Sequence, residues 1–168
     1  MALKVGFAGT VLGMNAAQQA AFLAFIDGND IEEFRSGGCV GADQQATELI
    51  CRSTTARVIV CRQPMQKIES PLVRAVAAET IKPARKGASR NKALVDASDV
   101  VVLAPKARDK TGGTYSTCLY ARWCCKRVVF MWPDGTVEDI QYRPRRWWTE
   151  KQAKRQREEQ AEPINSTA

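Results

Sequence analysis

Short apolar runs alternate with helical segments along most of the chain, and this alternation restricts the fold more than any other feature. The predicted strands span 4–9, 33–37, 57–62, 100–105 and 127–132, and most of them are apolar runs. Between them, apolar residues recur at helical spacing, as in 15–30, where Asn15 is a candidate N-cap. Continuous apolar strands are typical of a parallel sheet that helices cover on both faces. We therefore predict an α/β fold, a Rossmann-like doubly wound parallel sheet of about five strands in the order 3-2-1-4-5.

Length and composition suit one domain with a substantial core. The chain has 168 residues, of which 45% are hydrophobic. We expect a Rossmann-like domain over 1–140 and a basic C-terminal extension over 141–168 that is partly helical or disordered. The chain enters an apparent strand almost at once, and no apolar run is long enough to span a membrane. These features predict a cytoplasmic protein.

The cysteine and histidine content excludes several kinds of chemistry. The six cysteines show no CxxC spacing, and the chain has no histidine. A zinc site is therefore not expected, and histidine acid–base catalysis is excluded. We predict no metal and no cofactor, and we expect most of the cysteines to be buried thiols in a reducing cytoplasm.

Basic charge is concentrated in one part of the sequence. The formal net charge is +7, and 67–92 holds seven lysines and arginines against two glutamates. A basic stretch favours anionic partners, but charge alone does not distinguish nucleic acid from a small phosphate ligand.

Two glycine-rich segments follow predicted strands. The first glycine segment is "RSGGCVGAD" at 35–43, and the second is "TGGTYST" at 111–117. In an open parallel sheet, ligands bind beyond the carboxyl ends of the strands. Glycine lets the backbone approach a ligand, and a helix N-terminus presents N–H groups to an anion. The pattern is neither a Walker phosphate loop nor a dinucleotide fingerprint. The segments indicate a phosphate-binding edge, or else only tight turns.

Four stretches together resemble the SLOG superfamily, which includes the DprA/Smf domain, the Lonely Guy nucleotide phosphoribohydrolases and YspA/YpsA-related proteins of bacteria and phages. They are "GFAGT", "SGGCVGAD", "SRNKALVDASDVVVLAP" and "GGTYSTCLYAR". The resemblance covers roughly 4–133. It implies a Rossmann-like fold with a nucleotide or nucleic-acid ligand at the glycine segments.

One departure from that group concerns catalysis. The Lonely Guy hydrolases share a PGGxGTxxE motif whose glutamate assists cleavage of the glycosidic bond. This chain has "TGGTYSTCL", which places Thr117 and Cys118 where acidic residues are expected. We therefore expect nucleotide turnover to be absent or very slow. If the chain is an enzyme, the resemblance implies a nucleotide N-glycosidase.

The candidate ligand-binding residues come from the glycine segments, the first strand end and the helix that begins near residue 89. They are Gly9, Thr10, Ser36, Gly37, Gly38, Asp43, Arg90, Asn91, Gly112, Gly113, Thr114 and Thr117. Backbone N–H groups and Arg90 would bind phosphate, and Asp43 or Asn91 a ribose hydroxyl. Alternatively, Asp43 only stabilises a helix N-terminus, and Arg90 and Asn91 only form a solvated first turn.

The four tryptophans are candidates for stacking on a ligand, but packing within the core or between subunits explains them equally well. We expect Trp123 and Trp132 to pack in the core or between subunits. The segment "RPRRWW" at 143–148 suits single-stranded nucleic acid, or an arm that docks on its own domain or on a second subunit. A homo-oligomer is expected.

The function that these observations favour is binding of a nucleotide or nucleotide-derived small molecule. Sensing or sequestering a signalling nucleotide, in defence or counter-defence, is the biological role that the resemblance implies. The alternatives are a Lonely Guy-type nucleotide N-glycosidase and a DprA-like single-stranded DNA-binding protein.

Overall fold

A computed structural model describes residues 2–62, 69–81, 89–108 and 111–144. The strands are β1 Leu3–Gly9, β2 Ile31–Ser36, β3 Arg57–Cys61, β4 Glu79–Ile81, β5 Val100–Ala104, β6 Arg127–Met131 and β7 Val137–Gln141. The helices are α1 Ala16–Asp27, α2 Ala42–Ser53, α3 Pro71–Val76, α4 Ser89–Asp96 and α5 Gly112–Trp123. The expected basic extension over 141–168 lies outside the described residues from 145 onward.

The strands form one sheet in the order β4-β3-β2-β1-β5-β6-β7. All neighbouring pairs from β4 to β6 are parallel, and β7 pairs antiparallel with β6. The five predicted strands correspond to β1, β2, β3, β5 and β6, and they have the predicted order. The doubly wound α/β class is thus confirmed, whereas the number of strands is seven rather than about five.

The two additional strands lie at the edges of the sheet. β4 has three residues, none of them fully buried. In β7, only Ile140 is partly buried and the other four residues are exposed. A short or mostly polar edge strand has no apolar run to reveal it, and this is why the sequence does not predict either one.

Two apolar layers cover the sheet, one on each face. On one face, Phe7 packs against Phe22 of α1 and Phe34 of β2, with ring centroids 5.3 and 6.0 Å apart. On the other face, Leu94 and Val95 of α4 belong to a cluster that includes strand and α5 residues. Burial on both faces explains why β3, β5 and β6 are almost entirely apolar.

α1 begins as predicted. It packs at the carboxyl edge of the sheet, which we define as the edge where the parallel strands, including β1 and β5, end. Asn15 caps the helix in a capping box with Gln18. The buried Gln18 side chain also donates hydrogen bonds to the carbonyls of Pro105 (2.9 Å) and Met131 (2.8 Å). One side chain thereby holds the ends of β5 and β6 in register with α1.

The strand order reverses between β1 and β5. From β1 the chain winds outward through α1 to β2, and it returns through α4 to β5 on the other side. The ends of these two strands are in register, with Gly9 paired to Ala104. In a doubly wound sheet the ligand crevice lies beyond the carboxyl ends at this reversal.

Candidate functional site

The loop after β1 lies on the N-terminus of α2. The carbonyl of Thr10 accepts a hydrogen bond from the N–H of Ala42 (2.9 Å). A Cβ added to Gly9 would lie 2.3 Å from the Cβ of Ala42. The N–H of Met14 donates to Gln45 of α2. The first strand end and the first glycine segment are therefore brought together, and one N–H of the first turn of α2 is already used by the protein itself.

The glycine pair of the first glycine segment faces inward. Both Gly37 and Gly38 are buried. Gly38 has a φ of +71°, and an added Cβ would lie 2.7 Å from a methyl of Val60. The carbonyl of Gly38 accepts a hydrogen bond from the N–H of Ser70 (2.9 Å). Ser36 is completely buried, and its hydroxyl accepts from the N–H of Gly38 (3.3 Å). Packing and backbone conformation account for Gly38 without a ligand.

Asp43 lies in the first turn of α2 and is only 5% exposed. Its carboxylate accepts a hydrogen bond from the backbone N–H of Cys39 (3.3 Å). A carboxylate at this position interacts favourably with the helix dipole and orders the preceding loop. This is the alternative role of Asp43, in which it only stabilises a helix N-terminus. It also disfavours a second anion at the same helix end, because like charges repel.

The second glycine segment is built differently. Gly112 and Gly113 form the start of α5 and are exposed. Within the described part of the chain, no atom lies within 4 Å of a Cβ added to either glycine. Gly112 has a φ of +81°, whereas the φ of Gly113 is one that any residue adopts. Neither crowding nor backbone conformation therefore explains a glycine at position 113.

The N-terminus of α5 is suited to an anion. Its first turn has no acidic residue, and the N-cap Thr111 makes no side-chain capping bond. Thr114 is half-buried at this end. Thr117 is only 1% exposed, and its hydroxyl donates to the carbonyl of Gly113 (3.0 Å). Backbone N–H groups and Thr114 are thus available to a ligand, whereas Thr117 is occupied within the helix.

Arg90 and Asn91 lie in the first turn of α4. α4 leads into β5, which is parallel to its neighbours, so the helix begins at the carboxyl edge. α4 also packs beside α5, where the hydroxyl of Tyr120 donates to Asp96 (2.9 Å). Asn91 is half-buried. The Arg90 side chain and the basic stretch 82–88 lie outside the described residues.

A cavity of about 250 Å³ opens beside the first turns of α5, and we call it the α5 cavity. Pro105, Arg108, Thr111, Thr114, Tyr115, Cys118, Leu119, Arg122, Phe130, Trp132, Glu138, Ile140 and Tyr142 line it. The rings of Phe130 and Trp132 stack 4.7 Å apart, and the Arg108 guanidinium lies 4.7 Å from the Trp132 ring. The sequence does not predict this cavity, because one side of it is formed by β7.

Two ionisable groups that line the α5 cavity, Cys118 and Tyr142, have raised pKa values. Burial raises the pKa of the Cys118 thiol. Burial, followed by the neighbouring Cys118, raises the pKa of Tyr142 to about 12. Cys118 therefore stays a thiol rather than a nucleophilic thiolate near neutral pH, and Tyr142 remains a hydrogen-bond donor.

The described residues contain neither a metal-binding cluster nor a membrane-spanning helix. Among these residues, no group of three or more histidine, cysteine, aspartate or glutamate side chains could hold a metal ion. In the same part of the chain, none of the helices has the length and apolar character needed to cross a membrane. Three of the six cysteine thiols are buried, namely Cys39, Cys61 and Cys118.

The fold is similar to two solved structures. The X-ray structure of TM1055, a structural genomics target, matches with a TM-score of 0.52 and 17% identity, over 76% of this chain and 72% of that chain. The molybdenum cofactor binding protein from the phototrophic bacterium Rippkaea orientalis matches with a TM-score of 0.52 and 20% identity, over 77% and 76%. No family model matches the sequence, and no curated protein is similar to it. At such low identity the likeness concerns the fold alone, which is Rossmann-like.

Proposed function

We propose that this chain binds a nucleotide or nucleotide-derived small molecule, with its phosphate at the N-terminus of α5. The observation that carries the proposal is Gly113, a helical glycine that neither a contact within the described part of the chain nor a positive φ requires. A glycine at such a position is explained when a ligand must approach the backbone closely. The first turn of α5 contains no acidic residue, and its glycines have open space around them within the described part of the chain, as an anion site requires.

The flanking residues complete the proposed site. α4 begins at the same edge, so Arg90 would add charge-assisted hydrogen bonds to the phosphate. Asp43 and Asn91 are the candidates for a ribose hydroxyl. Of the two helix ends, that of α5 suits the phosphate better, because the first turn of α2 already contains the Asp43 carboxylate. The likeness to a cofactor-binding protein of the same fold also supports a small-molecule ligand.

Binding without turnover is the form of this function that the side chains favour. Thr117 and Cys118 occupy the positions where the resemblance leads one to expect acidic residues, and Cys118 has a raised pKa. Sensing or sequestering a nucleotide requires no catalytic group. Release of free base from a nucleoside monophosphate at enzymatic rates would instead support a nucleotide N-glycosidase.

Calorimetric titration of the full chain with nucleoside 5′-monophosphates tests the proposal. Arg90→Ala should weaken binding by about 10- to 150-fold, because a charge-assisted hydrogen bond is worth roughly 1.5–3 kcal/mol. The thermal midpoint should hardly change. Lys92→Ala is the matched control, since it removes the same charge from an exposed position on the same helix. Equal affinities for the wild type and Arg90→Ala would place the phosphate elsewhere.

The same titrations distinguish the nucleic-acid alternative. Affinity for a short single-stranded oligonucleotide should fall steeply as salt is raised, because phosphate contacts release counterions. Tight, salt-sensitive oligonucleotide binding with no response to monophosphates would favour a DprA-like function.

The proposed assembly is a homodimer or larger oligomer. The outer surface of α5 carries Leu119 and Trp123, which are 48% and 63% exposed and lie one helical turn apart. Apolar side chains that large are common at subunit contacts. Light scattering at micromolar concentration should show an oligomer that Trp123→Ala weakens. A wild-type chain that is only monomeric would contradict this assembly.

A further inference from the structure

The α5 cavity is continuous with the proposed phosphate site. Thr111 and Thr114 belong to the first turn of α5 and also line the cavity. A phosphate at the helix end and a second chemical group in the cavity can therefore belong to one molecule.

The size of the cavity limits what it can hold. Sites that enclose a whole drug-sized ligand usually measure about 300–1,000 Å³. At about 250 Å³, the α5 cavity is below that range. It suits one ring system rather than an entire nucleotide.

The lining favours a flat aromatic group. Tyr115, Phe130, Trp132 and Tyr142 contribute aromatic surface. The Trp132 ring is held in place by its stack on Phe130 and by a hydrogen bond from its indole N–H to Glu138 (3.1 Å). Planar rings gain both apolar burial and favourable ring–ring geometry in such surroundings.

Glu138 gives the α5 cavity a preference for ligands that donate hydrogen bonds. Glu138 and Ile140 line the cavity from β7, and Glu138 lies at the exposed rim. A carboxylate has about four acceptor positions, and the indole of Trp132 uses one of them. Glu138 can therefore accept further hydrogen bonds from a ligand that presents N–H donors.

We propose that the α5 cavity binds the base of the nucleotide, and that Glu138 selects a base with adjacent N–H donors on its edge. Guanine presents a ring N–H beside an amino group and fits best; adenine and cytosine present an amino group, and uracil has the poorest match. This inference rests on the proposed function, because the phosphate at α5 is what positions the base.

The test is calorimetric titration of the full chain with GMP, AMP, CMP, UMP and ribose 5-phosphate. We expect GMP to bind most tightly, and ribose 5-phosphate to bind at least about tenfold more weakly than GMP. Glu138→Gln should reduce GMP affinity by about 10- to 150-fold while leaving ribose 5-phosphate unchanged. The glutamine keeps an acceptor for Trp132, so the stacked rings stay in place.

Asp139→Asn is the matched control. Asp139 is the next residue of β7, forms an ion pair with Arg127 (2.6 Å) and does not line the cavity. Its replacement removes the same charge and should leave base preference unaltered.

The outcomes separate this inference from the proposed function. Equal binding of GMP, UMP and ribose 5-phosphate would overturn the base site and leave the phosphate site standing. The wild-type comparison gives this answer even if Glu138→Gln does not fold. Absence of binding by every phosphate-bearing probe would overturn both.

Discussion

The two glycine segments look alike in sequence but have different structural reasons for their glycines. In the first, Gly38 and Gly41 have positive φ values, and an added Cβ at either position would collide with neighbouring atoms. In the second, an added Cβ at Gly112 or Gly113 meets open space within the described part of the chain. Glycine is thus required by packing at Gly38 and Gly41. In the second segment, the positive φ of Gly112 favours glycine, whereas no neighbour within the described residues requires it at position 113, which supports the proposed ligand contact there.

The N-termini of α2 and α5 also differ in their exposure and in the charge of their first turns. The start of α2 is covered by the loop after β1 and contains the buried carboxylate of Asp43. The start of α5 is exposed, and its first turn contains no acidic residue. Glycine-rich turns at the same edge of a sheet therefore need not share one function, and substitutions at single glycines can distinguish the two roles.

The largest effect is expected for Gly41→Ala. Gly41 has a φ of +87°, and the new Cβ would lie 2.3 Å from the backbone carbonyl oxygen of Val11. Strain of this kind costs of order 1–3 kcal/mol, and the collision with backbone raises the cost to about 3 kcal/mol or more. The midpoint of thermal unfolding should fall by about 6–12 °C.

Gly28→Ala is the control for this experiment. Gly28 lies at the end of α1 with a φ of −87°, and an added Cβ would make an ordinary contact with a backbone oxygen at 3.4 Å. Its midpoint should stay the same or rise slightly. If Gly41→Ala melted like Gly28→Ala, the first segment would not be constrained by packing.

For Gly113→Ala we expect a smaller effect on thermal stability, in the opposite direction, together with a loss of ligand affinity. Alanine is the better helix former by roughly 0.5–1 kcal/mol, so thermal stability should be unchanged or slightly increased. The added methyl group would occupy the space where a phosphate approaches the backbone. Affinity for GMP should fall by about tenfold or more, a loss of about 1.4 kcal/mol. Titration and thermal unfolding of the same sample measure both effects, and unchanged affinity would make this glycine a simple turn residue.

The central strands and α1 are predictable from the sequence, because the residue patterns that indicate them lie within short segments. β5 is a continuous apolar run, and so are β3 and β6 after their first residue, since both faces of these strands are buried. The cap of α1 is also read correctly, because Asn15 and Gln18 are three residues apart and form the capping box directly.

The distinction between the glycine segments is not predictable in this way. The atoms that crowd Gly38 and Gly41 belong to Val60 and Val11, which are distant in the sequence. The α5 cavity depends on β7, whose residues are mostly exposed and carry no apolar signature. Sequence patterns thus indicate that glycine-rich turns meet at one edge, while the neighbours in three dimensions decide what each glycine does.

The smallest effects are expected when one hydroxyl is removed from each segment, and they sharpen the comparison most directly. Ser36 is completely buried, and its hydroxyl accepts from the N–H of Gly38, so Ser36→Ala should cost about 1 kcal/mol of stability, or roughly 2–4 °C. It should change GMP affinity by less than about twofold. Thr114→Ala removes a half-buried hydroxyl beside the proposed phosphate, so it should weaken GMP binding by about fivefold with little change in stability. Thermal unfolding and titration of the two variants provide the measurement. A tenfold loss of binding in Ser36→Ala would mean that the first segment opens to the ligand, and the assignment of packing to one segment and binding to the other would fail.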